Sequence, residues 1–286
     1  MAMPSLRFDR FATLYVAQPL LSTGIGRKDA RLSILMYHSI SETSESGVSP
    51  YYRTVTAPHV FKAQMKTMRE AGWRGVSLSE GLRTLSTAPE RAQKMVAITF
   101  DDGFEDFYTA AYPVLRDNNF TATMYLPTAY IGDSPAAFKS QRCMTWEQVR
   151  ELHNEGIEFG SHTVNHPKLW DLDWPAIVSE LRDSKRTIEH KLGAEIPAFA
   201  YPYAFPQQDK SFTSRFRSEL EASGYKSCVT TSIGRVAADD DPYTLKRLPA
   251  NSCDDADLLM AKLEGGYDWL AWAQKIIKSA KTAVRG

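Results

Sequence analysis

The sequence has little cysteine, no long apolar run and no excess of one charge. Its three cysteines, Cys143, Cys228 and Cys253, are widely spaced and odd in number, which argues against a disulfide framework and against a Cys-x-x-Cys metal site. No apolar run reaches the roughly 20 residues that span a bilayer. The most apolar N-terminal stretch, residues 11–25, is interrupted by Gln18 and lacks a clear signal-peptidase site. We therefore predict a cytoplasmic protein without a transmembrane segment, with export as the open alternative.

Lysine plus arginine and aspartate plus glutamate both number 34, so the formal net charge is zero. Such a chain has no global field to attract nucleic acid, and we predict no nucleic-acid partner. Of the 286 residues, 43% are hydrophobic and 24% are charged, as in an ordinary globular domain. With no low-complexity stretch, the sequence predicts an N-terminal extension over residues 1–31 and a single domain over residues 32–286 that ends in a C-terminal helix.

Short, β-prone apolar segments alternate with longer segments of helical periodicity from Leu32 onward, which indicates an α/β fold with a parallel sheet. Seven or eight strand-helix units in one domain favour an irregular (β/α) barrel of about seven strands over an open sheet. We predict strands over residues 32–37, 75–78, 95–100, 121–126, 158–161, 198–200, 227–230 and 244–248.

Between these strands, the sequence predicts helices as crossovers. One starts near Pro58, and another is capped by Asp173 and ends at Gly193. Residues 212–223 and 254–263 are also predicted to be helical.

Polar residues follow several of the predicted strands. His38 follows the first strand, Asp101 and Asp102 the third, His162 the fifth and Tyr203 the sixth. Because the carboxyl ends of parallel barrel strands meet at one rim, we expect these side chains on one face, where the active sites of such barrels form.

Two carboxylates, Asp101 and Asp102, stand side by side before Gly103. Adjacent anions repel each other and lose hydration at the end of a buried strand, and a bound cation would compensate for this. A tight turn explains Asp-Gly equally well, since glycine adopts positive φ and aspartate caps its neighbours. This motif alone leaves both interpretations open.

Two histidines, His162 and His166, lie four residues apart in a polar segment before Pro167. This spacing allows both imidazoles to reach one metal ion, although local hydrogen bonding by two loop histidines is the alternative. Taken together, the two motifs indicate a hydrolytic metal site. Two neutral imidazoles and one carboxylate would be the ligands, and the neighbouring carboxylate would be left as a base.

Residues 99–103 followed by residues 161–166 resemble, in order and separation, the motif pair of the polysaccharide deacetylase superfamily. This superfamily is also known as carbohydrate esterase family 4 or the NodB homology domain. Met144-Thr145-Trp146 and the Phe-Ala-Tyr-Pro-Tyr segment at residues 199–203 resemble further family segments. The resemblance covers roughly residues 32–248.

The resemblance implies a NodB-like barrel and a metal-dependent deacetylase that acts on N-acetylglucosamine-type units of an N-acetylated carbohydrate. Asp102, His162 and His166 would hold a divalent metal, for which zinc matches the ligand types. Asp101 would act as the base, and the backbone N–H of Tyr203 would stabilise the oxyanion.

The sequence departs from the usual family pattern in two places. Ala200 stands where the family has an arginine that steadies the catalytic aspartate, and no histidine follows His190 to act as the late general acid. Residues 35–40, however, resemble the early Tyr-His segment of a permuted branch that includes poly-β-1,6-N-acetylglucosamine deacetylases. This implies His38 as the general acid, and a lone histidine closing a core strand is the alternative. Arg247 is a candidate to replace the missing arginine, and a surface arginine at a strand end is the alternative.

The aromatic residues Tyr201, Tyr203 and Trp146 are expected near the rim, where their rings would stack on sugar units unless they belong to the core. Two other functions stay open. One is a related metal-dependent amidase that acts on a small non-carbohydrate amide, and the other is a catalytically silent sugar-binding protein. The presence of every proposed catalytic and metal-binding residue favours an enzyme.

Overall fold

Seven parallel strands close into a barrel in the computed structural model, which describes residues 7–22 and 30–270. Each strand pairs with the next in the sequence, and the last pairs with the first through Leu35 opposite Leu248. The predicted barrel of about seven strands is therefore confirmed. The strands are β1 (Arg31–Tyr37), β2 (Met95–Phe100), β3 (Thr123–Leu126), β4 (Glu158–Ser161), β5 (Ala198–Ala200), β6 (Ser227–Ile233) and β7 (Leu245–Pro249).

One predicted strand lies beside the barrel and is not one of its seven strands. Arg74–Val76 pairs with the first half of β2, whereas β3 pairs with Thr99 and Phe100 further along the same edge. Gly75 is required in this strand, because a Cβ there would lie 2.6 Å from the Phe120 ring. The other short strands are Ser39–Ile40 with Val55–Thr56, Ala137–Phe138 with Gln141–Arg142, and Val236–Ala237 against β1.

Helical segments connect the strands. The α-helices are Phe8–Ala12, Gln18–Ser22, Pro58–Glu70, Leu78–Thr87, Pro89–Ala92, Tyr112–Asp117, Trp146–Asn154, Trp174–Leu192, Lys210–Ala222 and Ala256–Leu263. Phe107–Ala111 and Thr13–Ala17 are π-helical, and Pro50–Tyr52, Thr128–Tyr130 and Leu169–Asp171 are single 3₁₀ turns.

Local sequence signals set the limits of the longer helices. Asp173 accepts a hydrogen bond from the Ala176 backbone N–H at 2.9 Å, and Gly193 ends the same helix with a φ of 66°. Both predicted ends are confirmed. Pro58–Glu70 has its proline in the first turn, where no intrahelical N–H bond is lost, and buries Phe61 on its inner face.

Residues 7–22 pack against the last part of the described chain. Trp269 Nε1 donates to Thr13 Oγ1 at 3.1 Å, and Arg7 forms an ion pair with Asp254 at 3.2 Å. The C-terminal helix that the sequence predicts falls on residues 271–286, outside the described residues. Within the described part of the chain, no helix has the length and apolar character needed to cross a membrane.

The barrel strands are buried on both faces. All six residues of β2 are buried, and Leu35, Phe100 and Leu248 are completely covered. This burial explains why the strands have near-continuous apolar sequences without strict alternation. The three cysteines are free thiols, as the sequence predicts.

Candidate active site

The predicted site residues gather at the carboxyl end of the barrel. His38 follows β1, Asp101 and Asp102 follow β2, and His162 follows β4. Tyr203 comes three residues after the end of β5. Parallel strands therefore deliver these side chains to the same rim, as expected for a βα barrel.

Asp102, His162 and His166 form a buried triad of possible metal ligands. One ligand atom from each residue lies within 4.8 Å of the others. Asp102 Oδ1 lies 3.7 Å from His162 Nε2 and 3.3 Å from His166 Nε2. Two imidazoles and one carboxylate converge on one point, as in hydrolytic metal sites with open coordination positions.

The chemistry of this triad fits a divalent ion. His162 Nδ1 donates to the Ala200 carbonyl oxygen at 2.8 Å, so the Nε2 lone pair faces Asp102. Burial lowers the pKa of His162 to about 4, against the opposing effect of the nearby Asp101, and keeps the imidazole neutral. Asp102 Oδ1 is buried and has no hydrogen-bond partner within the described residues, so a cation could use this oxygen.

A second buried pair, Asp101 with Arg247, lies beside the triad. Arg247 donates from both terminal nitrogens to the two oxygens of Asp101, at 2.7 and 2.8 Å. The same guanidinium donates to Thr99 Oγ1 and to the Thr230 carbonyl oxygen. Arg247 is only 1% exposed, so the alternative of a surface arginine is wrong. Its side chain points into the barrel from β7, directly at the carboxylate that follows β2.

The guanidinium controls the ionisation of Asp101. Burial alone would raise the pKa of this carboxyl group. The charge and hydrogen bonds of Arg247, with a contribution from His162, outweigh burial and lower the pKa to about 2. Asp101 is therefore ionised at neutral pH and able to accept a proton.

His38 lies on the other side of Asp101. Its Nε2 is 3.8 Å from Asp101 Oδ2, and 17% of its side chain is exposed. β1 pairs with both β7 and β2, so His38 at its end lies next to Asp101, which follows β2. Placement of His38 at the front of the chain is thus compatible with the permuted arrangement that the sequence resembles.

Backbone strain is concentrated at this rim. Asp102, Thr163, His166 and Tyr203 all have positive φ angles, of 75°, 71°, 53° and 59°. Such conformations are costly for residues other than glycine and tend to occur at functional sites. The turn that Asp-Gly predicts is present, since Gly103 also has a positive φ, of 66°. The turn and the site are therefore the same feature, and the two interpretations of the aspartate pair are compatible.

The three aromatic candidates differ in exposure. Tyr203 is 45% exposed, and its ring centroid lies 4.7 Å from that of His166, so it borders the site. Trp146 and Tyr201 are 3% and 2% exposed and pack within apolar clusters. The expectation that these two rings stack on sugar units is wrong, because their faces are covered by core side chains.

Sequence reasoning missed Glu180, which supports the histidine loop. Glu180 Oε2 accepts hydrogen bonds from the backbone N–H groups of Val164 and Asn165, at 2.7 and 3.0 Å. Its Oε1 accepts from Asn165 Nδ2 at 2.7 Å. A carboxylate three residues after Ile177, on the buried face of its helix, is the signal that could have identified it.

Lys139 was also missed, and it contacts a metal ligand directly. Its Nζ lies 2.9 Å from Asp102 Oδ2. Burial opposes ionisation of Asp102, but the His166 imidazole and the side chains of His38 and Lys139 hold its pKa well below the usual range. Lys139 lies in a loop without a recognisable motif, so the sequence contains no signal for this contact.

Known proteins are similar to this chain in sequence and in fold. The Bacillus subtilis protein YxkH, whose name assigns it to the polysaccharide deacetylases, is 31% identical over 221 residues, which cover 77% of this chain and 72% of that protein. The chain belongs to the polysaccharide deacetylase family. Residues 88–227 match the family model described as polysaccharide deacetylase, and this segment contains Asp101, Asp102, His162 and His166.

Other members of the polysaccharide deacetylase family match over different lengths. A poly-β-1,6-N-acetyl-D-glucosamine N-deacetylase from Staphylococcus aureus is 26% identical over 161 residues, which cover 52% of this chain and 54% of that protein. The structure of the Streptococcus pyogenes deacetylase PplD in complex with acetate superimposes with a TM-score of 0.72 at 28% identity. That alignment covers 83% of this chain and all of that one. The NodB-like barrel predicted from the motifs is confirmed.

Proposed function

We propose that the protein is a metal-dependent N-deacetylase that removes acetyl groups from N-acetylglucosamine-type units of a polysaccharide or oligosaccharide. The observation that carries this proposal is the pair of neighbouring carboxylates with different partners. Asp101 is held by Arg247, and Asp102 faces two imidazoles. A hydrolase that needs one carboxylate as base and one as ligand requires this division.

Asp102, His162 and His166 would hold the divalent ion, with zinc as the expected metal because of the nitrogen-rich donor set. When bound, such an ion supplies Lewis-acid polarisation of the acetamide carbonyl and of the attacking water. Two of these ligands, His162 and Asp102, need no deprotonation at neutral pH, since burial favours neutral His162 and Asp102 is held ionised.

Asp101 would accept the proton from the attacking water. Its low pKa derives mainly from Arg247, and the same guanidinium fixes its orientation by donating to both carboxylate oxygens. This arrangement makes Arg247 a positioning residue that takes the part of the family arginine absent at Ala200. The Tyr203 backbone N–H would donate to the oxyanion of the tetrahedral intermediate.

His38 would deliver a proton to the departing amine. An amine is a poor leaving group unless it is protonated, and histidine is the usual donor near neutral pH. His38 is close to Asp101 and partly exposed, so it can reach a substrate that binds at the rim next to both side chains. The products would be acetate and a glucosamine unit.

Two observations support a sugar substrate. One matching relative is named for poly-β-1,6-N-acetyl-D-glucosamine N-deacetylation. The half-exposed ring of Tyr203 beside His166 offers a stacking surface for a sugar at the site. These observations favour an N-acetylated carbohydrate over a small amide.

Mass spectrometry of N-acetylglucosamine oligomers incubated with the zinc-loaded protein tests the proposal, with β-1,4 and β-1,6 linkages compared side by side. Loss of acetyl groups together with release of acetate is the expected result. Oligomers that bind the protein but stay acetylated would instead support a silent sugar-binding protein. Hydrolysis of small amides with no change in any oligomer would support the amidase.

A further inference from the structure

A short hairpin places the ammonium group of Lys139 beside the proposed metal site. Lys139 and Ser140 form the two-residue turn between the strands Ala137–Phe138 and Gln141–Arg142, with φ angles of 51° and 62°. Neither residue is glycine, so the turn holds two residues in a costly left-handed conformation. The chain that leaves the hairpin is tied to the Asp102 segment, because the Met144 N–H donates to the Gly103 carbonyl oxygen.

The lysine side chain approaches the site from the solvent side. Its Nζ lies 2.9 Å from Asp102 Oδ2, with 42% of the lysine side chain exposed and only 2% of the aspartate side chain. The ammonium group also lies 4.6 Å from the ring centroid of Phe138 and 5.9 Å from that of Tyr203. Lys139 therefore sits at the mouth of the site and reaches inward to a buried carboxylate.

The two oxygens of Asp102 face two different groups. Oδ2 accepts from Lys139, whereas Oδ1 faces His162 and His166 and has no hydrogen-bond partner within the described residues. A divalent ion held through Oδ1 would bind the same carboxylate that pairs with Lys139 through Oδ2. The two cations would then interact with the single negative charge of Asp102.

Resting on the proposed metal site, we propose that Lys139 competes with the divalent ion for the charge of Asp102 and thereby weakens metal binding. Before metal binds, the ammonium compensates a buried carboxylate, so its removal destabilises the metal-free protein. After metal binds, the ammonium still attracts Asp102 but also repels the ion, so its removal costs the metal-bound protein less than the metal-free protein. This difference tightens metal binding when the charge is removed.

One effect acts in the opposite direction. The lysine fixes Asp102 Oδ2 and so helps to orient Oδ1 toward the two imidazoles. Ordering one oxygen of a side chain that is already buried gains little, whereas repulsion between a divalent and a monovalent cation at close range is larger. Competition therefore outweighs orientation, and Lys139 keeps Asp102 charged while leaving the metal exchangeable.

Zinc titration of the chelator-treated full chain against a chromophoric competitor tests this role. Lys139→Met keeps the length of the side chain and removes its charge, and we expect zinc affinity to rise by roughly tenfold or more. Lys139→Arg keeps the charge and should bind zinc like the wild type. Lys168→Met is the matched control, because Lys168 also lies over the Tyr203 ring, at 6.0 Å, and forms no ion pair with Asp102 among those of the described residues.

Thermal unfolding of the same proteins provides a second readout. Without zinc, Lys139→Met should unfold at a lower temperature than the wild type. Addition of zinc should raise the unfolding temperature of Lys139→Met by more than that of the wild type. Equal or weaker zinc affinity in Lys139→Met, with zinc still bound by the wild type, would overturn the role of the lysine and leave the proposed function intact. A wild-type protein that binds no zinc would overturn both.

Discussion

Arg247 and Asp101 form a bidentate ion pair inside the barrel, with N–O distances of 2.7 and 2.8 Å. The arginine belongs to the last strand and the aspartate follows the second, so closure of the barrel brings them together. This contact gives the two adjacent aspartates different partners. Asp101 pairs with a fixed guanidinium, whereas Asp102 faces the two histidines and Lys139.

Replacement of Arg247 should impair both catalysis and stability. Arg247→Ala leaves a buried carboxylate without its cation, which costs about 3–5 kcal/mol of the free energy of unfolding. The pKa of Asp101 should rise, since the main influence that opposes burial is then removed, and kcat should fall. Arg247→Lys keeps a positive charge but cannot donate two parallel hydrogen bonds to the carboxylate, so we expect an intermediate loss of kcat. Chemical denaturation and steady-state kinetics measure both effects, and a fully active Arg247→Ala enzyme would remove the arginine from the site.

The two aspartates should be separable by their amide variants. Asp101→Asn should keep its metal and lose turnover, because the shape is kept and the base is removed. Asp102→Asn should lose metal, because a charged ligand is removed from the triad. Metal analysis of both purified variants measures this difference. Metal loss in Asp101→Asn with retention in Asp102→Asn would mean that the two roles are reversed.

His38→Ala should keep the fold and the metal while kcat falls by about 10²-fold or more, the usual scale for a missing general acid. His190→Ala is the matched control, since His190 is exposed on the helix Trp174–Leu192. Kinetics on an N-acetylglucosamine oligomer and metal analysis of both variants provide the test. Near-normal kcat in His38→Ala would contradict the permuted arrangement of the site.

The pH dependence should report the same histidine. Burial lowers the pKa of His38, the carboxylates of Asp101 and Asp102 oppose this, and the charges of Lys139 and Arg247 lower it further. A general acid must carry its proton, so kcat should fall as pH rises through this pKa. We expect His38→Ala to lack this alkaline limb. A limb of unchanged position in the variant would assign it to another group.

Glu180 should control metal affinity through the histidine loop. Glu180→Ala removes the acceptor for the N–H groups of Val164 and Asn165, and we expect metal affinity to fall by about tenfold or more. Glu180→Gln keeps one acceptor oxygen and should recover part of the affinity. Glu189→Ala, two turns or more along the same helix, is the control. Unchanged zinc affinity in Glu180→Ala would contradict a role for this carboxylate in the metal loop.

The sequence predicts the barrel well because its strands are short, apolar and followed by turns. It also identifies Asp102, His162 and His166, since a His-x-x-x-His segment and an acidic pair are visible without three-dimensional information. The burial of Arg247, in contrast, is not predictable from the sequence. Its orientation depends on which strands meet when the barrel closes, and no local pattern distinguishes a strand arginine that points inward from one that points outward.

Long-range contacts account for the other differences. Glu180 and Lys139 act through side chains that reach a loop and a carboxylate distant in sequence, so neither forms a local motif. Trp146 and Tyr201 lie within family-like segments, but the clusters that cover them are assembled from several elements. Local sequence therefore predicts which chemistry is present, whereas packing determines which side chains the substrate can reach.

Metal-dependent deacetylation is tested by the release of acetate from an N-acetylglucosamine oligomer, measured before chelation, after chelation and after zinc is restored. Asp101→Asn, treated in the same way, is the control, since we expect it to bind metal without turnover. We predict that wild-type activity is lost on chelation and returns with zinc, while Asp101→Asn releases no acetate at any stage. Full activity in the chelated wild type, or in Asp101→Asn, would contradict a metal-dependent deacetylase that uses Asp101 as its base.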